Sequence, residues 1–284
     1  MARVALMTDS TAYIPKDVLA KNHIAVVPQV VIWDNQTFED GVDIQPTEFY
    51  KRLSTSKTMP TTSQVSVPNM QKTFMRLLDE GFDVFGMFLS AKLSGTMQSA
   101  HQGRDELKTG KDRVQFIDTE TTAMAMGFQV LTVAHAAADG ASLSDCMALA
   151  EKAKNTTGVF LVVDTLEFLY RGGRIGGATR FLGAALNLKP ILCVTGGRVE
   201  PVERVRTKAK AHDRMIELVV EATHGKSPLR LATLHANAAE DAEGILKKAT
   251  EQMKPIESVF SEVSPAVGTH TGPGTVGLCY MAGM

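Results

Sequence analysis

The sequence has little of what would mark a secreted, membrane-bound or nucleic-acid-binding protein. It holds three cysteines in 284 residues, Cys146, Cys193 and Cys279. An odd number set far apart fits neither a disulfide framework nor the close ligand pairs of a metal site, so they read as reduced thiols of a cytoplasmic protein. No stretch approaches the ~18 apolar residues of a membrane span. The first apolar run, Val4 to Met7, is too short for the apolar core of a secretory signal. Charge of one sign is missing as well: 30 basic against 31 acidic residues leave a net charge of −1, with no long run of either. That removes the basic footprint nucleic-acid binding needs. There is also no glycine-rich loop ending in Lys-Ser/Thr and no kinase signature, so the chain offers no nucleotide site of its own.

What is present is a core-forming pattern. At 284 residues and 44% hydrophobic, the chain is long enough for two domains at ~100–200 residues each. Strand-length apolar runs occur at Arg3–Met7, at Ile24–Trp33 with a break at Pro28-Gln29, at Asp83–Leu89 and at Val114–Ile117. Between and after them lie helical patterns: one from Thr47, Asn69–Glu80, one carrying Met97, Ala100, Arg104 and Leu107, Ala123–Ala138 and Ser142–Lys154. This β-α order predicts an N-terminal α/β domain with a mainly parallel sheet covered by helices, residues 1–156. Gly158–Val163 starts afresh as a strand and opens a second α/β domain, residues 157–284. There a small-residue helix from Gly176, with Phe181, Leu182, Ala185 and Leu188 apolar, leads into a strand at Pro190–Val194. Gly196-Gly197 turns it into the alternating run Val199–Thr207. Helices at Ala209–Ala222 and Glu240–Met253 and strands at Leu229–His235, Ile256–Val263 and Val276–Met281 complete a mixed sheet.

Three polar clusters interrupt this pattern. Ser94, Gly95 and Thr96 stand where the Asp83–Leu89 strand turns into a helix, a place of free backbone N–H groups and partial positive charge. Gly95 would admit an anionic oxygen close to the backbone; alternatively Ser94 is a helix cap. Thr61, Thr62, Ser63 and Ser66 precede the next well-patterned helix and can donate two or three hydrogen bonds to one anion, or form a solvated loop. The third cluster runs from Val267 to Gly277, where His270 lies among threonines and glycines. A histidine there can donate to an anion and, near neutral pH, switch charge as the anion changes. Thr8–Thr11 ends the first strand at an edge where α/β sheets bind ligands, although Asp9 or Ser10 can equally cap the helix entered at Pro15. Arg171 and Arg174 flank two glycines and make a basic edge suited to phosphate or an acidic partner, or simply a solvated turn.

Taken together, Thr8–Thr11 (TDST), Pro60–Ser66 (PTTSQVS), Ser90–Ala100 (SAKLSGTMQSA), Arg171–Ile175 (RGGRI), Lys189–Leu192 (KPIL) and Gly268–Gly277 (GTHTGPGTVG) resemble the DegV family along almost the whole chain. The set looks like the fatty-acid-binding subunit of bacterial fatty acid kinase. The resemblance implies two α/β domains with a long-chain acyl group buried between them. It implies a carboxylate held at Thr62, at Ser94 with the Gly95 N–H, and near His270, with Ser63 and Thr96 in the same turns. It also implies a separate kinase subunit docking near Arg171 and Arg174, with no cofactor or metal and no catalytic residue in this chain. Burying a dozen methylenes contributes on the order of 10 kcal/mol before ordering costs, so neutral hydroxyls suffice for the head without a Lys or Arg clamp. Two rivals stand beside this reading. One is a lipid or ester hydrolase with Ser94 as nucleophile, His270 as base and Asp9 or Asp164 as orienter, although the Gly-x-Ser-x-Gly elbow is missing. The other is a sensor or store for a small anion or lipid, without a kinase.

Overall fold

A computed structural model describes residues 3–183 and 188–284. In chain order the first part comprises β1 (Val4–Asp9), α1 (Lys16–Lys21), β2 (Ala25–Val27), β3 (Val30–Trp33), β4 (Gln36–Glu39), α2 (Pro46–Leu53), β5 (Thr61–Ser63), α3 (Val67–Asp79), β6 (Asp83–Phe88), α4 (Thr96–Asp105), β7 (Val114–Asp118), α5 (Ala123–Ala138) and α6 (Leu143–Lys154). Strands β2-β1-β6-β7 form a parallel sheet. Its strands are apolar on both faces because both are covered: on β1 and β6, Leu6, Phe85 and Met87 join one core, while Ala5, Met7, Val84 and Phe88 join another under α3 and α4. The break at Pro28-Gln29 separates β2 from β3, which sit in different sheets; β3 pairs antiparallel with β4 and β5 in a small third sheet.

The second part comprises β8 (Thr157–Val162), α7 (Glu167–Arg171), β9 (Lys189–Thr195), β10 (Arg198–Val205), α8 (Lys208–Thr223), β11 (Leu229–His235), α9 (Ala239–Met253), β12 (Glu257–Glu262), α10 (Pro265–Thr271) and β13 (Val276–Ala282). Its sheet has the order β10-β9-β8-β13-β11-β12 and is mixed: β11 and β12 run parallel and the remaining pairs antiparallel. The expected α/β class, one parallel and one mixed sheet, is the one observed.

Helix α5 joins the two. An all-round apolar helix has no face to give to water, and Met124, Met126, Phe128, Val130 and Val133 are all fully buried. It packs on β1 to one side and on β8, β11 and β13 to the other, so one core runs from Val4 and Leu6 to Leu234, Cys279 and Met281. Among the described residues, no helix is long and apolar enough to cross a membrane.

Three segments depart from expectation. Thr61–Ser63, read as loop, is β5, because β3 supplies backbone partners (Val31 opposite Thr62). Val267–Thr271, read as a glycine-rich turn, lies in α10, which Pro265 opens at its first turn. The small-residue helix from Gly176 is a 3-10 turn over Gly176–Phe181, followed by extended backbone at Leu182; Ala185 lies outside the described residues.

Candidate functional site

Between the two larger sheets lies a cavity with about 920 Å³ of space, its open mouth included. Most of its wall is aliphatic: Leu89, Leu93, Val159, Leu161, Leu169, Val194, Val199, Leu234, Val263 and Val267 all line it. Into this wall project Thr62, Ser63, Ser94, Arg174 and His270, drawn from β5, the β6–α4 turn, the segment after α7, and α10.

Thr62 and His270 meet directly, Oγ1 to Nε2 at 2.7 Å. The other ring nitrogen, Nδ1, is buried without a hydrogen-bond partner and abuts Gly172, where any Cβ would overlap it. A bare lone pair is better tolerated there than an unpaired N–H, which places the proton of the neutral ring on Nε2, donating to Thr62. The Thr62 hydroxyl hydrogen is then free to donate into the cavity. Burial first, and the neighbouring Arg174 cation second, hold the His270 imidazolium down to about 4. The ring is therefore neutral at pH 7, and the expected charge switch near neutrality is displaced well into acid.

Ser94 sits beside Gln29. Its Oγ donates to Gln29 Oε1 at 3.5 Å, lies 3.0 Å from Thr96 Oγ1, and accepts the Thr96 N–H at 3.3 Å. Thr96 is wholly buried and receives Gln29 Nε2 at 2.9 Å, so it supports the turn from behind and does not line the cavity. Gly95 is the helix N-cap, and the side that a Cβ would occupy faces the Gln64 amide. Its openness thus serves packing against Gln64. In the third cluster Gly268 leaves room for Tyr50, Gly272 for Phe168 and Gly274 for Asp164, the last two at positive φ; there too the close approach is made by side chains of the protein itself.

The two arginines separate. Arg171 points outward, 58% exposed, and pairs with Glu167 one turn earlier at 2.6 Å. Arg174 turns inward to the cavity wall, with Nε donating to the Leu93 carbonyl at 3.0 Å and Nη1 to the Gly172 carbonyl at 2.8 Å. A head group here would have a guanidinium beside it, contrary to the expectation of neutral hydroxyls alone. Thr11, in the Thr8–Thr11 edge expected as a ligand place, lines the cavity. Sequence reasoning missed Gln29, Tyr13 and Thr122 as cavity residues; for Gln29 the available signal was the polar break inside an apolar run.

Beneath the cavity lies a buried carboxylate. Asp40 accepts Ser10 Oγ at 2.6 Å and the Ala266 N–H in the first turn of α10 at 3.0 Å. Its removal from water outweighs those bonds and lifts its carboxyl to about 6. The hydrolase arrangement finds no matching geometry: His270 Nε2 is engaged by Thr62, Ser94 by Gln29 and Thr96, Asp9 by Thr11 and Leu89, and Asp164 by Lys189.

Fold and cavity define an α/β protein with an apolar chamber whose wall carries hydroxyls, an imidazole and a guanidinium, a form suited to an amphiphile with an anionic head. The chain belongs to the DegV family: residues 3–283 match the family described as "Uncharacterised protein, DegV family". Protein DegV of Bacillus subtilis is 33% identical over 278 residues, 98% of each chain. A DegV domain-containing protein of Streptomyces coelicolor is 35% identical over 277 residues, 97% of each. Among solved structures, one described as "Fatty Acid Binding of a DegV family Protein from Thermus thermophilus" superposes with a TM-score of 0.93 at 33% identity, covering 99% of both chains. DegV from Bacillus subtilis, described as a fatty acid binding protein, gives 0.90 at 31%, covering 99% of this chain and 100% of that one.

Proposed function

We propose that this protein binds a long-chain fatty acid in the cavity, holds its carboxylate at Thr62 and Ser94 with His270 near it, and presents it to a separate ATP-dependent kinase subunit. The observation that carries the reading is the Thr62–His270 pair in the wall of a mostly aliphatic chamber. The relatives from Thermus thermophilus and Bacillus subtilis whose structures are described as fatty-acid-binding support the ligand class. About a dozen buried methylenes contribute on the order of 10 kcal/mol before ordering costs, which leaves the polar cluster the task of orienting the head. A carboxylate brought against His270 raises the imidazole's proton affinity again.

In the transfer step a carboxylate oxygen attacks the γ-phosphorus of ATP in the partner, the bond to the β-phosphate oxygen breaks, and ADP leaves the acyl phosphate behind. The nucleotide is the partner's, since the sequence carries no phosphate-binding loop. Exposed Arg171 is the docking residue of this reading, while the inward placement of Arg174 gives it a part near the carboxylate.

Mass spectrometry of the organic extract of purified protein, followed by titration with palmitate and oleate, tests the ligand. A non-lipid occupant, together with no uptake of either acid, sinks the proposal. Kinase subunit, ATP and hydroxylamine trapping of acyl phosphate test the second half. Arg171→Glu is expected to spare lipid binding and reduce trapped product; equal loss of both removes the docking role.

A further inference from the structure

The cavity has a second polar place that the carboxylate does not use. Thr11, at the turn after β1, and Thr122, the residue before α5, both line the cavity. Their hydroxyls are linked to wholly buried Asp9 in a chain whose direction can be worked out. Asp9 Oδ1 accepts the Thr11 N–H at 3.0 Å and the Thr11 hydroxyl at 2.7 Å, and Oδ2 accepts the Leu89 N–H at 2.9 Å. Three donors on its two oxygens fix Asp9 as the acceptor. The single Thr11 hydroxyl hydrogen is thereby committed, so the 3.0 Å contact between Thr122 and Thr11 has Thr122 as donor. Thr122 has then spent its own hydrogen, and what its oxygen has left are lone pairs that can only accept.

Capping α5 does not account for that oxygen. Thr122 holds the N-cap position, yet its side chain accepts no N–H from the first turn, which is what a threonine there ordinarily does. The next residue, Ala123, lines the cavity at φ 57°, left-handed backbone that non-glycine residues rarely adopt. Val159, Leu161, Leu234 and Val263, which also line the chamber, offer no donor. A plain alkyl chain cannot fill this acceptor; a chain carrying an O–H can.

We propose that Thr122, backed by Thr11 and Asp9, is a specificity subsite that accepts a hydrogen bond from a hydroxyl on the acyl chain, so that hydroxylated fatty acids belong to the ligand class. The inference rests on the fatty-acid reading above and deepens it. Stearate and a panel of hydroxystearates, with the hydroxyl placed from the second to the twelfth carbon, are titrated into the intact protein and into Thr122→Val and Thr122→Ser. At least one isomer is expected to bind the wild type as tightly as stearate. Thr122→Val is expected to shift that isomer's Kd against stearate's by about tenfold, the worth of one neutral hydrogen bond, and Thr122→Ser to restore the ratio. Stearate binding with every isomer at least tenfold weaker overturns the subsite alone, as does Thr122→Val moving stearate and the isomer by the same factor. Failure of stearate and the whole panel to bind overturns the fatty-acid reading and the subsite with it.

Discussion

His270 shows how much one buried ring can hold. Its ordinary value of 6.5 falls to about 4 in the folded chain, so between these two the unfolded state binds a proton that the folded state refuses. The stability contributed by the neutral ring is whole above 6.5 and drains away as the pH falls towards 4. Asp40 works in the opposite direction: its carboxyl is lifted from 3.8 to about 6, so its contribution is present below 3.8 and lost as the pH rises through about 6. The two offset each other across weak acid, and a variant is needed to separate them. His270→Gln is expected to lose roughly 2–3 kcal/mol less than wild type on acidification from neutral pH to the lower limb, read by urea unfolding. An identical difference at both pH values would mean that the ring is not held neutral. At the same scale, if the proposed carboxylate sites hold, Thr62→Ala and Ser94→Ala are each expected to weaken oleate binding by one hydrogen bond to a charged oxygen, about 1.5–3 kcal/mol, on the order of ten- to a hundredfold in Kd, with the circular dichroism spectrum kept. Unchanged titration curves for both would undo the carboxylate assignment.

Among the elements, α7 and α10 matter most because they meet at a glycine. Gly172 ends α7 with ordinary helical backbone, φ −75°, so an alanine there strains nothing locally. Its new Cβ would nevertheless overlap His270 Nδ1, and the ring or the whole of α10 must move. Gly172→Ala is therefore expected to cost about 1–3 kcal/mol of stability, the usual cost of overpacking, and to raise the Kd for oleate. An unaltered Kd would show that α7 does not set the ring's position. The β6–α4 turn is fixed from the other side of the cavity: Ser90 Oγ donates to the Gly197 carbonyl at 2.8 Å and Lys92 Nζ to the Gly196 carbonyl at 2.6 Å. With Arg174 on the Leu93 carbonyl, three contacts tie the turn that carries Ser94 to the second half of the chain.

For the whole molecule the decisive element is α5. We propose that the division at 156/157 cuts through a core that the two larger sheets share, because residues of α5 are buried against both. Calorimetry is expected to show one transition whose calorimetric and van't Hoff enthalpies agree. Fragments 1–156 and 157–284 expressed apart are expected to lack a cooperative melt, since the first leaves in water the α5 surface that packs on β8, β11 and β13, and the second leaves those strands without α5 over them. Two resolved transitions, or two stably folded fragments, would show that the sheets hold separate cores.

Local chemistry was enough to read much of this. Alternation and apolar runs located β1, β6, β7, β8 and β11, and the β-α order gave a parallel sheet first and a mixed sheet second, because side-chain period and helix or strand geometry are properties of neighbouring residues. The hydroxyl-rich turns stood out for the same reason. What pattern could not supply was company: Thr62 meets His270 across 208 positions, Arg171 faces outward while Arg174 faces in, Gly95 and Gly172 make room for Gln64 and His270, and Thr11 and Thr122 meet over Asp9. Those outcomes depend on how α5 brings two sheets together. The sequence by itself determined the strongly patterned strands and helices, because their periods belong to neighbouring residues; tertiary packing decided that Thr61–Ser63 is a strand and Val267–Thr271 part of a helix, and which polar clusters face one another, because the partners that settle those outcomes are distant in the chain.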